Sequence, residues 1–388
     1  MQYVLQTGHG KGLAKTEIIS ILGEVVIDEV EDGFVLDCQI EDPVMLIDRM
    51  GGIVRITQVL QSGPSAMPLN FEEWVVVSMK NEIKPGGKIR FGLSMHPKSE
   101  KILKKILINS KKNLKPFLGN VRFVNKDFQN LSSVQAWHED LISEGAIELH
   151  LFQGAKKWYL TKTLAIQDFE WYSHRDYNRP AKDSKNGMLP PKLAQILINL
   201  AEQKEGAEIY DPFCGSGTVL EEALLIGYTA SGSDLSERCV EDTEINLKWL
   251  QGQIERALPS FRVFQKDANK ITKNDLPKVD FAIVSETALG PNLSKVPAPE
   301  TLKQIQDDLE TLYEAFFSNL KKIVSEPVTM IFTAPYHRDG NERIFLPNLH
   351  TILNKYTKVI PLSEHDRPSL FYERKDQFVS REIWKVII

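Results

Sequence analysis

The sequence predicts an α/β protein, and three observations carry that expectation. From Lys192 onward, strand-like and helix-like runs alternate: helix 192–203, strand 207–211, helix 217–226, strand 229–233, helix 236–251, strands 261–265 and 279–285, helix 300–323 and strand 327–333. Such alternation builds βαβ units and a mainly parallel sheet. Within it, IYDPFCGSGTVLEEA reads as a strand, a tight loop with glycines at 215 and 217, and a helix. The stretch before Gln167 also mixes short strands with helices, so a second α/β portion precedes the parallel sheet.

The length, 388 residues, suggests two or three domains. Hydrophobic residues make up 42% and charged residues 26%, values of a globular rather than a disordered chain. Cys38, Cys214 and Cys239 form no C-x-x-C pair, which argues against a disulfide framework or a zinc knuckle and for a reducing compartment. No metal site is expected. The opening MQYVLQTGHGKG lacks a basic start and a long apolar core, so no secretory signal is read there. No apolar run approaches the roughly 20 residues of a membrane span. The expectation is a cytoplasmic protein with no membrane contact. Oligomeric state is open.

The net charge is −5, but its distribution is uneven. Residues 1–50 hold three basic and ten acidic residues, net −7, whereas residues 80–186 hold 20 basic and 11 acidic, net +9. Charge is therefore read by segment.

In the first segment, 1–64, the strand-like runs are YVLQTG, GEVVIDEV, GFVLDC and GGIVRITQVL. LAKTEIISILG reads as a helix capped by Gly23. QSGPSAMP, residues 61–68, is expected to be a linker. In the second segment, 65–170, KIRFGLSM, VRFVNK, AIELHLFQG and KKWYLTKTLAIQ read as strands. SEKILKKILINSKKNLKPFLG reads as a helix that stops at Pro116. On it Lys101, Lys104, Lys105, Lys111, Lys112 and Lys115 share one face, and Ile102, Leu103, Ile106, Leu107 and Leu114 fill the other. Such a stripe can neutralise several phosphates, or it can be an ordinary solvated face. WYSHRDYNRPAKDSKNGMLPP, 171–191, reads as a loop-rich junction to the third segment, 171–388, which closes with the hairpin SLFYERKDQFVSREIWKVII.

The loop after Asp211 carries the chemistry. Its two glycines let the backbone turn sharply and approach a ligand, and the following helix aims free N–H groups outward. A second strand ends at Asp234, where a ribose diol needs an acceptor. The dinucleotide pattern G-x-G-x-x-G fails because position 220 is Leu. An acid before the loop suits a cationic ligand better than a pyrophosphate, which favours S-adenosylmethionine over NAD.

Asp211-Pro212-Phe213-Cys214-Gly215-Ser216-Gly217-Thr218 resembles the first motif of the methyltransferases that modify exocyclic amines of nucleic-acid bases, in particular the ribosomal RNA large-subunit methyltransferase K/L-like domain and the THUMP-bearing tRNA guanosine-N2 methyltransferases. The resemblance implies a Rossmann-like class I methyltransferase domain with a seven-stranded, mainly parallel sheet, preceded by an α/β module and a THUMP-like domain. It implies that Asp211 and the loop to Thr218 cradle the methionine part of S-adenosylmethionine. Asp234, with Leu235, would hold the ribose, and Asp267, with Ala268, the adenine. GMLPPKLAQILINLA, 187–201, also resembles the family's stretch before that motif, and reads equally well as a core helix.

The family carries an N/D-P-P-Y loop after the fourth strand, whose polar side chain and proline carbonyl accept from the target amine while the Tyr stacks on the base. Here VDFAIVSE runs into Ser285-Glu286-Thr287-Ala288-Leu289-Gly290. By register Glu286 takes the acceptor place and Gly290 the following glycine, so Ser285, Glu286 and Gly290 are the catalytic candidates. Thr287 and Ala288 replace the prolines, and Leu289 replaces the aromatic. Either Glu286 accepts from an amine while another ring, with Tyr336 of FTAPYHRD a candidate, serves as platform, or the chain binds cofactor and RNA but turns over poorly or not at all.

The N-terminal runs resemble the tRNA-presenting half of the THUMP-bearing enzymes, so the implied partner is RNA, in particular tRNA, with the six lysines and Arg175 as contacts. Arg175 could instead pair with an acid of its own loop. His174-Arg175-Asp176 spells part of a kinase motif, but no glycine-rich loop or DFG accompanies it. Cys214 reads as a small turn residue rather than a nucleophile, since no His is placed to activate it. The implied reaction is tRNA guanosine-N2 methylation. Adenine-N6 methylation, a non-catalytic RNA-binding role and a small-molecule methyltransferase are the competing readings. The methyltransferase fold alone does not choose among them.

Overall fold

Short apolar runs separated by turns build the first sheet. β1 (Gln2–Thr7) leads to α1 (Lys11–Leu22), which Gly23 ends at φ 79°, its N–H donating to the Ile19 carbonyl at 2.8 Å. β2 (Val26–Val30) and β3 (Gly33–Asp37) follow, then α2 (Pro43–Arg49), which the sequence reading missed. Asp42 caps α2 by accepting from the amides of Val44 and Met45. Next come β4 (Ile53–Pro64), α3 (Phe71–Glu82), β5 (Lys88–His96), α4 (Glu100–Leu118), β6 (Asn120–Phe123), α5 (Ser133–His138), β7 (Ala146–Gln153) and β8 (Lys157–Ile166).

The computed structural model describes residues 1–8, 10–64, 70–182, 188–293, 295, 297–340, 342–363, 367–374 and 377–388. Its contacts divide into two units, Met1–Phe169 and Glu170–Ile388. Parts of the linker (65–68), of the junction (183–187) and of the closing hairpin (375–376) lie outside the described residues.

The first unit holds one eight-stranded sheet in the order β2-β3-β1-β4-β8-β7-β5-β6. The expected division at residue 64 does not interrupt it. β4 pairs antiparallel with β8 from Arg55–Ile166 to Pro64–Lys157, so residues 61–64 are strand rather than linker. A buried ion pair, Arg55 to Glu148 at 3.0 Å, joins the two segments inside this sheet. α4 also departs from expectation, because it runs two residues past Pro116. In the last turn the proline forfeits only its own amide bond, and Gly119 closes the end by donating to the Lys115 carbonyl at 3.0 Å.

In the second unit, the expected junction loop instead begins as a helix, α6 (Phe169–Tyr177). α7 (Pro191–Leu200), β9 (Glu208–Asp211), α8 (Thr218–Ile226), β10 (Thr229–Asp234), α9 (Glu237–Gln253), β11 (Phe261–Gln265), β12 (Phe281–Glu286), α10 (Pro299–Ile323) and β13 (Thr329–Asp339) follow. The chain closes with β14 (Glu342–Ile344), α11 (Leu349–Tyr356), β15 (Lys358–Ile360), β16 (Leu370–Tyr372) and β17 (Val379–Ile387).

The sheet path is β11-β10-β9-β12-β13-β17-β15, seven strands, with β14 and β16 as additions. β11 to β13 are parallel, and β17 runs against both of its path neighbours. A core of Tyr313, Phe316, Phe317, Phe332 and Trp384 fills one face. The anticipated closing hairpin is the antiparallel pair β16–β17. No helix among the described residues is long and apolar enough to cross a membrane.

Candidate functional site

The carboxyl ends of β9, β10 and β12 meet around a cavity of about 640 Å³. Asp211, Phe213, Cys214, Gly215, Ser216, Thr218, Asp234, Leu235, Glu286 and Gly290 all line it. A larger cavity, about 960 Å³, is lined by residues 202–207, 273–274, 276–281 and 323–329 and by none of the candidate residues.

Asp211 is 2% exposed. Its Oδ1 accepts from the Ser285 hydroxyl at 2.6 Å and from the Phe213 amide at 3.0 Å. Burial pushes its carboxyl up to about 7, and the nearby Asp234 and Glu286 charges push the same way, against those two hydrogen bonds. Asp234 is fixed by the amides of Gly215 (3.0 Å) and Ser236 (2.9 Å), which tie the end of β10 to the loop. Gly217 needs to be glycine. Its φ is 91°, and an added Cβ would lie 2.8 Å from Thr243 Cγ2. It packs against α9 rather than lining the cavity. At Gly215 an added Cβ would meet only the Phe213 carbonyl, 4.0 Å away, so the space beside it is open for a ligand. The Cys214 thiol is buried, and burial raises it well above the ordinary thiol range. That fits a turn filler and not a nucleophile.

Asp267 and Ala268 are not part of this lining. Asp267 accepts from the Asn269 amide at 2.9 Å and lies 3.5 Å from the Lys270 ammonium, while Ala268 is buried. Arg238 and Asp242 line the cavity without having been singled out in the sequence, as does Cys239, noted there only as a cysteine, while Met188 and Leu189 come from the 187–201 stretch that resembles the family.

In the loop after β12, only Glu286 of the three catalytic candidates offers a side chain to the cavity. Ser285 is fully buried and occupied with Asp211. Gly290, at φ 81°, shapes the turn. Glu286 Oε1 accepts from Arg381 Nε on β17, a residue with no motif to flag it. Where prolines would stiffen the loop, hydroxyls anchor it. Tyr313 donates to the Ala288 carbonyl at 2.7 Å, Thr287 donates to the Thr333 carbonyl at 2.6 Å, and the two hydroxyl oxygens lie 2.8 Å apart.

Two expected contacts are corrected by burial. Tyr336 sits inside β13, fully buried between Phe345 and Phe371, and donates to Glu373 at 2.6 Å, so it cannot be a platform for an incoming base. Arg175 is 1% exposed and grips Glu222 at 2.8 and 3.1 Å, so it cannot reach an RNA phosphate. Its partner is an acid on α8, not one of its own segment. By contrast, all six lysines of α4 are exposed. Lys104 and Lys111 also lie over the rings of Phe128 and Phe123, at 4.9 and 5.6 Å.

Residues 178–342 match the RMKL-like methyltransferase domain. The tRNA (guanine(10)-N2)-dimethyltransferase of Methanothermobacter thermautotrophicus is 31% identical over 184 residues, which is 47% of this chain and 49% of that protein. The protein of the same name from Methanocaldococcus jannaschii is 26% identical over 276 residues, covering 63% of this chain and 76% of that one. The chain thus spans about half the length of the first of these relatives. The crystal structure of TrmN from Thermus thermophilus matches over 100% of both chains with a TM-score of 0.54 and 16% identity, a likeness of fold.

Proposed function

We propose that this chain, whose residues 178–342 match an RMKL-like methyltransferase domain, moves a methyl group from S-adenosylmethionine to the exocyclic N2 of a guanine in tRNA. The observation that carries this reading is the convergence of Asp211, Asp234 and Glu286 on one cavity. This convergence supports reading the cavity as a cofactor cradle beside an amine acceptor. The names of the aligned relatives support guanine N2 as the target and tRNA as the substrate.

The residues fit the cofactor. The open space beside Gly215 admits a ligand against the backbone, and two carboxylates flank it. S-adenosylmethionine, when bound, supplies an electrophilic methyl carbon. Asp211 would accept from its ammonium group, Asp234 from its ribose hydroxyls, and the exposed Leu235 would offer apolar cover to the adenine.

Glu286 does the work on the substrate side. With Oε1 engaged by Arg381, Oε2 accepts from the target amine and aligns the nitrogen lone pair toward the methyl carbon. Positioning is the main catalytic contribution in such a transfer. The nitrogen would gain the methyl group as the carbon–sulfur bond breaks, the electron pair of that bond staying on sulfur as a thioether, and give one proton to the carboxylate. A carboxylate also selects the base. Beside N2, guanine presents the N1–H donor, whereas adenine presents a lone pair at N1 beside N6, which a carboxylate repels.

The exposed lysine face of α4 gives phosphate affinity without sequence choice, in keeping with an RNA-presenting role for the first unit. Glu286→Ala tests the reading. Transfer to tRNA should vanish while cofactor affinity stays within twofold of wild type. Unchanged turnover would remove Glu286 from the mechanism.

A further inference from the structure

The loop after β12 has no aromatic residue to stack on a base, and Tyr336 is buried. The sheet supplies a ring from another strand. Glu286 pairs with Thr333 in the β12–β13 ladder, Thr333 with Ile383 and Pro335 with Arg381 in β13–β17, and Arg381 with Tyr372 in β17–β16. Directly paired residues project to the same face of a sheet, and so do residues two apart on one strand. Glu286, Arg381 and Tyr372 therefore stand on one face, and the bond from Arg381 to Glu286 shows it directly. Tyr372 is half-buried. Arg374 is exposed, donates to the Tyr372 hydroxyl at 3.3 Å, and holds its guanidinium 6.0 Å from the ring centroid. The hydroxyl is thus braced from the side of the chain that continues beyond β16. Both residues lie past position 342, where the match to the methyltransferase domain ends.

Resting on the reading of the site as a guanine methyltransferase, we propose that Tyr372 is the stacking platform for the target base, delivered by the β16–β17 hairpin in place of the aromatic that Leu289 replaces. The ring stands one strand beyond Arg381 on the face that carries Glu286, so a base resting on it would lie on the Glu286 side of the sheet. Arg374 fixes the ring, with the Asp176 charge also acting on its guanidinium. Stacking of a base on an aromatic side chain is worth roughly 5- to 150-fold in affinity.

Two readouts on the full chain test this. The first is methyl transfer to tRNA. Tyr372→Leu should lower kcat/KM about 10- to 100-fold with the dissociation constant for S-adenosylhomocysteine unchanged, and Tyr372→Phe, which restores the ring, should recover most of that loss. The second does not depend on turnover. Guanosine 5′-monophosphate, added to the protein saturated with S-adenosylhomocysteine, should shift the Tyr372 ring resonances upfield, and ribose 5-phosphate should not. Wild-type kcat/KM in Tyr372→Leu, or ring resonances that guanosine monophosphate leaves in place, would overturn the platform. A ring shift in a protein that transfers no methyl group would keep the platform and sink the proposed reaction instead.

Discussion

Arg381 on β17 donates through Nε to Oε1 of Glu286 at the end of β12, across the intervening β13. Arg381 is 6% exposed, so the pair is largely shielded from water and holds its geometry. A carboxylate one methylene longer than Asp has an extra torsion to lose before it can accept from an amine in a fixed direction. The Arg381 contact removes that freedom. Arg381→Gln should therefore lower kcat by up to about 100-fold, with the affinity for tRNA within twofold of wild type. Arg381→Lys should recover part of the loss but not all, because a single ammonium does not reproduce a guanidinium's directed N–H. Single-turnover kinetics beside filter binding measure both quantities. Weakened tRNA binding with an unchanged rate would make Arg381 an RNA contact instead.

Asp211 gives a pH dependence with a definite sign. Its folded carboxyl is raised from an ordinary 3.8 to about 7. The ligand-free folded state therefore binds more protons than the unfolded state between those values, and Asp211 makes stability fall as pH rises through that window. Accepting from a cofactor ammonium requires the ionised form. Affinity for S-adenosylmethionine should drop by up to tenfold per unit as pH falls below about 7 and level off above it. Asp211→Asn should bind weakly and flatten this dependence. Calorimetric titrations from pH 5.5 to 8.5 check it, and a dependence that survives in the variant would assign the proton to another group.

Arg175 is a structural residue, although its sequence context suggested an RNA contact. With Arg179 it faces Glu222 and Glu221 on α8, all four buried. Arg175→Ala removes the guanidinium paired with buried Glu222, leaving it the Gln195 hydrogen bond, and should cost about 3–5 kcal/mol in stability. Denaturant unfolding measures this. Reduced tRNA affinity at wild-type stability would restore Arg175 to the RNA surface.

Much of the site was legible in the sequence because local rules govern it. The loop from Asp211 to Thr218 needs a strand end, glycines and a helix start within eight residues, and each leaves a mark in the residue order. The βαβ alternation likewise followed from hydrophobic spacing. The parts that could not be read depend on contacts between distant positions. Nothing near Arg381 says that it meets Glu286, 95 positions earlier. The expected strand 327–333 leaves Tyr336 outside it. β13 instead runs on to Asp339, since β17 pairs with it as far as His337. Residues 171–177 read as loop from their charges. Their helix is favoured by tertiary burial of Tyr172 and Arg175, which local propensity does not record. The continuation of the sheet across residue 64 was hidden for the same reason, because β4 finds its partner in β8, about 100 residues later.

The lysine face of α4 should show itself in salt dependence. Replacing Lys101, Lys105, Lys112 and Lys115 together by Ala removes four exposed charges on a surface whose apolar side stays intact. The slope of log affinity for tRNA against log salt should become shallower by up to about 3 to 4, as expected if each lysine neutralises one phosphate. Cofactor affinity should not change. An unaltered slope would return α4 to an ordinary solvated face.

The most direct measurement is transfer of labelled methyl from S-adenosylmethionine to bulk tRNA, followed by digestion and nucleoside analysis. The proposed mechanism requires label in N2-methylated guanosine, and loss of that label in Glu286→Ala. Label in N6-methyladenosine would contradict the selection of guanine by the Glu286 carboxylate. The absence of label, with cofactor and tRNA both bound, would contradict the assignment of the Asp211, Asp234 and Glu286 cavity as a working methyl-transfer site.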